Sequence, residues 1–204
     1  MGVVIFVLCT VAPMVGLFSW IKASQNRIRA GYFKLLAEAL ELNYDEKSRN
    51  VSGNFGGRQV LFYSTDGNTR YTPYRRVVEV RSASAGSLTF SLRADGITSV
   101  LDELWAGKRM EVGDDAIDRT CIWHTNNPEY LRAALVPEIL DQLKELLASG
   151  AVGHRFGIEL ADGVVRYEEE SGEFEERDVL RLQNRLPFLQ DLAAIAEVDA
   201  DSKS

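Results

Sequence analysis

Two cysteines and two histidines limit the nucleophilic and metal chemistry open to this 204-residue chain. Cys121 and His124 come nearest to a nucleophile with a base. Thr120 to His124 reads as a strand, however, and residues three apart on a strand point to opposite faces. The plainer reading makes Cys121 a small core residue and His124 a strand-end residue. His154 sits beside Gly153 ahead of another strand, and no second Cys or His supplies metal-ligand spacing. Asp114, Asp115 and Asp118 form the densest acidic loop before the C-terminal quarter. The calcium-loop pattern is absent there, and a turn whose Asp side chains bond their own backbone needs no ligand. Gly53, Gly56 and Gly57 match a phosphate cradle in composition only: no Gly-Lys-Ser/Thr end and no helix follows. A Gly-Gly hairpin turn explains them. The sequence therefore nominates no catalytic residue, no metal site and no cofactor, and the expectation is a non-enzyme. A hydrolase or metal enzyme is the remote alternative, should a pocket converge on His124 and the Asp114–Asp118 loop.

The charged residues carry more information. Arg58, Arg70, Arg75, Arg76, Arg81 and Arg93 crowd a stretch where the acids are Asp66 and Glu79. Turned toward a membrane, each could contribute about 1 kcal/mol toward anionic lipid. Arg58, Arg75, Arg76 and Arg81 are the candidate contacts for an anionic ligand or membrane surface. The competing reading is a solvated sheet face paired with Glu168, Glu169, Glu170, Glu173, Glu175 and Glu176. Residues 1–150 balance 17 basic against 17 acidic groups, so the net charge of -7 falls within residues 151–204, with 6 basic and 13 acidic. That acidic end argues against wrapping nucleic acid, which needs a basic footprint.

These residues hang from an apolar N-terminal run. Gly2 to Ile21 contains no charged residue, and about 20 helical residues at about 1.5 Å each match the roughly 30 Å of a bilayer's hydrocarbon. A signal peptide needs a basic start that is missing here, and a core helix needs a polar face. The residues before Cys9 are not those of a lipoprotein signal. Lys22, Arg27, Arg29 and Lys34 follow as a juxtamembrane basic collar before any acid. Positive flanks stay inside, so the expectation is a single-pass protein of a bacterial inner membrane, N-terminus out, with its soluble domain in the cytoplasm. Trp20 suits an interfacial anchor, and Pro13 is tolerable mid-span. Cys9 and Cys121 cannot then pair, as befits a reducing compartment.

The remaining chain, about 180 residues, is long enough for one domain with a real core. Ile28, Tyr32, Leu35, Leu36 and Ala39 predict an amphipathic linker helix within 22–43. An α+β domain over 44–198 should follow, with 199–204 as a frayed tail. Val51–Phe55, Arg58–Tyr63, Tyr74–Arg81 and Leu88–Arg93 read as an antiparallel meander of about four strands. A short helical turn fits Ile97–Trp105, and short strands fit Arg109–Val112 and Thr120–His124. Asn127-Pro128 starts a helix that Pro137 divides, and Leu140, Leu143 and Leu147 mark the buried face of the second piece. Arg155–Leu160 and Val164–Glu169 form a hairpin across Asp162-Gly163. A last helix spans Arg177–Glu197, interrupted near Pro187, with Leu180, Leu189, Leu192 and Ile195 inward. The fold class is thus α+β: an N-terminal transmembrane helix, then a meander packed with helices.

Several landmarks together resemble a known pattern: Ser52-Gly53-Asn54-Phe55-Gly56-Gly57-Arg58-Gln59-Val60, then Gly113-Asp114, Ile117-Asp118, Asn127-Pro128-Glu129 and Pro137-Glu138. The chain resembles a loose family of uncharacterised, often membrane-anchored bacterial proteins. These carry a Ser-Gly-x-aromatic-x-Gly-Arg-x-Val hairpin, a later Gly-Asp-x-x-Phe-Asp segment and a Pro-Glu helix. Ile117 stands where that pattern has Phe. The resemblance implies a bacterial inner-membrane protein and transfers no functional residue. The expected partners are the lipid bilayer and a protein, another copy of the chain included, with no nucleic acid. The expected function is a membrane-tethered interaction domain, with binding of anionic lipid headgroups or another anionic ligand as the alternative.

Overall fold

The structure, a computed structural model, describes residues 20, 24, 27–65, 74–84, 86–94, 108–148, 156–171 and 175–201. Alternating apolar residues between Asn43 and Ser171 build one antiparallel sheet, which has nine strands among the described residues: β1 (Asn43–Asp45), β2 (Asn50–Phe55), β3 (Arg58–Thr65), β4 (Tyr74–Arg81), β5 (Phe90–Ala94), β6 (Lys108–Met110), β7 (Cys121–Thr125), β8 (Phe156–Ala161) and β9 (Val164–Ser171). Their spatial order is β1-β2-β3-β4-β9-β8-β5-β7-β6. The α+β class read from the sequence is the observed one. The apolar run of residues 1–19 and Lys22 lie outside the described residues. So does Ile97–Trp105. Among the described residues, no helix is long and apolar enough to cross a membrane.

Both predicted two-residue hairpins form. Gly56 and Gly57 take φ of +57° and +86°, closing Phe55 onto Arg58, and Asp162 and Gly163 at +52° and +70° close Ala161 onto Val164. These positive angles are what a type I′ turn needs. The meander runs β1 to β4, but β5 is not its next strand. The β9–β8 hairpin lies between β4 and β5. Sequence neighbours pair only about two-thirds of the time, and here charge decides against it. Arg75 and Arg76 stand opposite Glu170 and Glu169 in the β4–β9 register.

The helices are α1 (residues 27–39), α2 (Asp115–Thr120), α3 (Pro128–Ala134), α4 (Pro137–Ala148) and α5 (Glu176–Asp201). Inward strand residues such as Val60, Phe62, Val78, Val165, Ile158, Leu92 and Trp123 form one apolar cluster with helix residues Phe33, Leu36, Leu131, Leu143, Leu186 and Leu189. Three expected helix faces are corrected. In α1 the buried residues are Phe33, Leu36, Ala37 and Leu40, while Ile28 and Leu35 are exposed. In α4 they are Ile139, Leu143 and Leu146, with Leu140 and Leu147 only partly covered. In α5 the correction is Leu180 alone, which is exposed: Leu189, Leu192 and Ile195 are buried as expected, with Val179, Leu182, Leu186 and Ala193 also inward. The shifts in α1 and α4 are about one residue, because a wide apolar stripe leaves rotation about the axis loosely fixed.

The expected interruption at Pro187 does not occur, and α5 is continuous through it. Pro187 is exposed, whereas Leu186, Phe188 and Leu189 around it are buried. Packing therefore holds the helix across the backbone hydrogen bond that proline removes. Asn127 caps α3 by accepting from the Tyr130 N–H, with Pro128 in its first turn. The Tyr130 hydroxyl donates to the Ile195 carbonyl at 2.9 Å, tying α3 to α5.

The β2–β3 hairpin is fastened to α5 by Gln190, whose Nε2 donates to the Phe55 carbonyl at 2.5 Å. A Cβ on Gly56 would lie 2.6 Å from that nitrogen. Gly56→Ala is therefore expected to cost about 1–2 kcal/mol, the left-handed penalty, and to loosen the Gln190 contact as well. Urea denaturation of Gly56→Ala, Gln190→Ala and the double variant checks this. The combined cost should fall short of the sum.

Candidate functional site

The charged residues of β4, β9 and α5 meet inside the protein. Parity puts Arg76 on the same side of β4 as Val78 and Val80, and Glu169 on the same side of β9 as Val165 and Tyr167. On α5, Asp178, Arg181 and Arg185 recur at helical spacing on the face against the sheet. Arg76, Glu169, Asp178, Arg185 and Tyr167 are all at most 5% exposed. Arg76 bonds Glu169 at 3.1 Å and Asp178 at 2.8 Å, and Arg181 bonds the same two carboxylates at 2.9 and 2.7 Å. Arg185 contacts Glu169 and the Tyr167 hydroxyl, and its guanidinium lies 4.9 Å from the Tyr167 ring centre. That hydroxyl donates to Glu169 at 2.6 Å.

Burial opposes ionisation of Glu169, yet Arg185, the Tyr167 hydroxyl and Arg181 overcome it and hold its carboxyl below 4.5. Burial, with the adjacent Glu169 charge, pushes the Tyr167 phenol well above 10, so it stays a donor. Burial lowers the Arg76 guanidinium against the pull of Asp178 and Glu169. Three cations face two carboxylates, and no described group accepts from Arg185 Nη2 or Arg181 Nε. The described pockets lie elsewhere. The cluster is a clamp between sheet and helix.

The other sequence candidates separate. Arg58 makes a two-point ion pair with Glu197 of α5, at 3.0 and 2.8 Å. Arg75 is about half exposed and reaches Glu168 at 3.4 Å and Glu170 at 3.8 Å. Arg81 is exposed and lines a shallow polar depression with Asn54, Gln59 and Glu79. Of the four candidate anion contacts, Arg76 and Arg58 are thus committed to carboxylates within the chain. On the face of the sheet opposite Phe62 and Val78, Tyr63 donates to Glu79 at 2.8 Å, and burial with that bond pushes its phenol up to about 12. Cys121 is buried and His124 takes the opposite face of β7, so the two do not meet. Asp114 and Asp118 cap and brace α2: Asp114 accepts from the Ala116 and Ile117 N–H groups, Asp118 from those of Val112 and Gly113. Lys144 of α4 closes on Asp114 at 2.7 Å.

One pocket went unnoticed in the sequence. Arg29 and Ala30 of α1, Lys47, Ser48 and Arg49 of the β1–β2 turn, and Ser64 of β3 surround a cavity of about 310 Å³ floored by Phe33. Among the described residues, no acid lines it. Of the juxtamembrane basic residues, Arg29 contributes to it, Arg27 is exposed, and Lys34 lies 5.6 Å over the Tyr44 ring. The available signal was the segment Asp45-Glu46-Lys47-Ser48-Arg49-Asn50, a turn sequence with two cations.

No family model matches the chain, and no characterised protein matches it in sequence. Its fold is similar to the crystal structure of the mycobacterial trehalose monomycolate transport factor A. The TM-score is 0.55 at 11% identity, covering 82% of this chain and 93% of that one. That likeness speaks for the α+β architecture alone.

Removing one partner from a buried ion cluster strands the others. Glu169→Gln should cost about 3–5 kcal/mol at neutral pH. A carboxyl held below its ordinary value stabilises the fold above that value and ceases to as pH falls through the folded one. The stability gap between wild type and Glu169→Gln should therefore narrow below pH 4.5. Denaturant titrations of both chains from pH 7 to pH 3 check the sign.

Proposed function

We propose that this is a single-pass membrane protein: residues 1–21 span the bilayer, N-terminus out. Its α+β domain is a non-enzymatic interaction domain on the cytoplasmic side of a bacterial inner membrane. The observation that carries this reading is the docking of α1. The uncharged run from Gly2 to Ile21 is followed within a few residues by a helix that buries Phe33, Leu36, Ala37 and Leu40 in the domain core. A span joined to such a helix holds the domain close against the bilayer instead of leaving it on a loose leash. The basic collar of Lys22, Arg27, Arg29 and Lys34 supports the inward orientation. The expected partners are the bilayer and a protein, another copy of the chain included.

A second reading, binding of anionic lipid headgroups or another anionic ligand, is favoured by the pocket at Arg29, Lys47 and Arg49. The Arg-rich strands support it less, since Arg58 and Arg76 are paired internally.

Carbonate extraction of membranes and paired C-terminal reporters test the first reading. The full chain should stay in the pellet. A fluorescent reporter that folds only in the cytoplasm should be active, and a periplasmic phosphatase reporter silent. Release into the supernatant, or the opposite reporter pattern, would overturn it.

A further inference from the structure

We infer that the cavity between α1, the β1–β2 turn and β3 is a binding site for the phosphate of an anionic lipid headgroup. The inference rests on the membrane-tethered reading for the source of that phosphate, and on the cavity itself for the chemistry.

Three elements converge on it with Arg29, Lys47 and Arg49, joined by the Ser64 hydroxyl, while the Ser48 hydroxyl is spent on its own turn. Guanidinium and ammonium donors with short hydroxyls are the groups that bind phosphate oxygens. Lys47 and Arg49 form no ion pair with any described residue. Asp45, the acid that opens the turn, faces its own backbone: it accepts from the Lys47 N–H at 2.8 Å and the Ser48 hydroxyl at 2.5 Å. The Ser48 hydroxyl bond leads, and with the Lys47 N–H it holds the Asp45 carboxyl below its ordinary range. The acid thus shapes the turn while its charge stays ionised, and Glu46 is absent from the lining.

The turn holds Arg49 at φ +54°. A left-handed arginine costs about 1–2 kcal/mol that Gly or Asn would largely avoid. A guanidinium kept at such a position, in a cavity without acid among the described residues, gains a purpose if it meets an anion.

Size and place select the ligand. A cavity of about 310 Å³ is at the small end of ligand sites. It suits a phosphorylated headgroup and excludes acyl chains. Arg29 lies eight residues past Ile21 in the sequence, so a tether ending there keeps its long side chain near the headgroup layer. A net charge of -7 works against collecting free anions from solution. A tethered pocket needs no such collection, because the bilayer presents headgroups at high local concentration.

The test uses the full chain in neutral detergent micelles, titrated calorimetrically with dihexanoyl-phosphatidylglycerol and, separately, with inorganic phosphate. The short-chain lipid should bind saturably and at least about 10-fold more tightly than inorganic phosphate. Lys47→Ser with Arg49→Asn should weaken the lipid at least about 10-fold, Asn being at home in the left-handed region. Arg119→Ala with Arg177→Ala removes the same charge from exposed positions elsewhere and should leave affinity within about twofold. No saturable binding, equal losses in both double variants, or equal affinity for inorganic phosphate would each overturn the proposal. Should the Lys47/Arg49 variant fail to fold, Lys47→Glu, a charge reversal on an exposed turn residue, takes its place. It should weaken the lipid by a similar factor, and unchanged affinity would overturn the proposal. Failure of the tether would show instead in carbonate extraction, and the titration would still report on the pocket.

Discussion

Three arginines share two carboxylates in the interior, and the way α5 lies on the sheet depends on that sharing. Arg76 and Glu169 belong to neighbouring strands, while Asp178, Arg181 and Arg185 belong to the helix above them. Apolar contacts alone would allow α5 to rotate or slide, as the one-residue offsets in α1 and α4 illustrate. Buried charges do not tolerate such freedom, because a guanidinium that leaves its carboxylate in a dry interior finds no water to replace it. The cluster therefore acts as a register pin. It also explains why β9 lies beside β4, and hence why the β8–β9 hairpin separates β4 from β5.

Away from this clamp, the remaining charges brace the periphery. Glu197 holds Arg58 and accepts from the Ala83 N–H at 2.7 Å, so the end of α5 is tied both to the β2–β3 hairpin and to the segment after β4. Arg58 holds the Glu197 carboxyl low, and the Ala83 N–H adds to this. Asp114, Asp118 and Lys144 do the same for α2 and α4. Most acids and bases that looked available in the sequence are consumed in this way. What stands apart is the turn between β1 and β2, where Lys47 and Arg49 face a cavity without a carboxylate among its described lining residues.

Much of this was legible in the residues. Gly56-Gly57 and Asp162-Gly163 fixed two hairpins, Asn127-Pro128 a helix start, and Pro137 a division, because each acts through local backbone geometry. The acidic surplus of the last quarter was read as a partner for the arginine-rich strands, and Glu168, Glu169 and Glu170 do meet Arg75 and Arg76. Depth was not legible. Charge counts cannot tell a wet pair from a dry one, although the parity of Arg76 with Val78 and of Glu169 with Tyr167 carried the answer. Strand order was hidden too, since it is set by contacts between segments about 90 residues apart. The basic pocket was missed because its walls come from three elements, and only the fold brings Arg29, Arg49 and Ser64 together.

Among the described residues, the sheet's two outermost strands, β1 and β6, are three residues long. A strand that short offers too few unpaired backbone groups to template a new neighbour. Recruitment of a peptide by β-augmentation is thus poorly served at either margin. Whatever this domain engages must be met by side chains, across a face or in a crevice, and selectivity would follow from their charge and shape more than from backbone pairing.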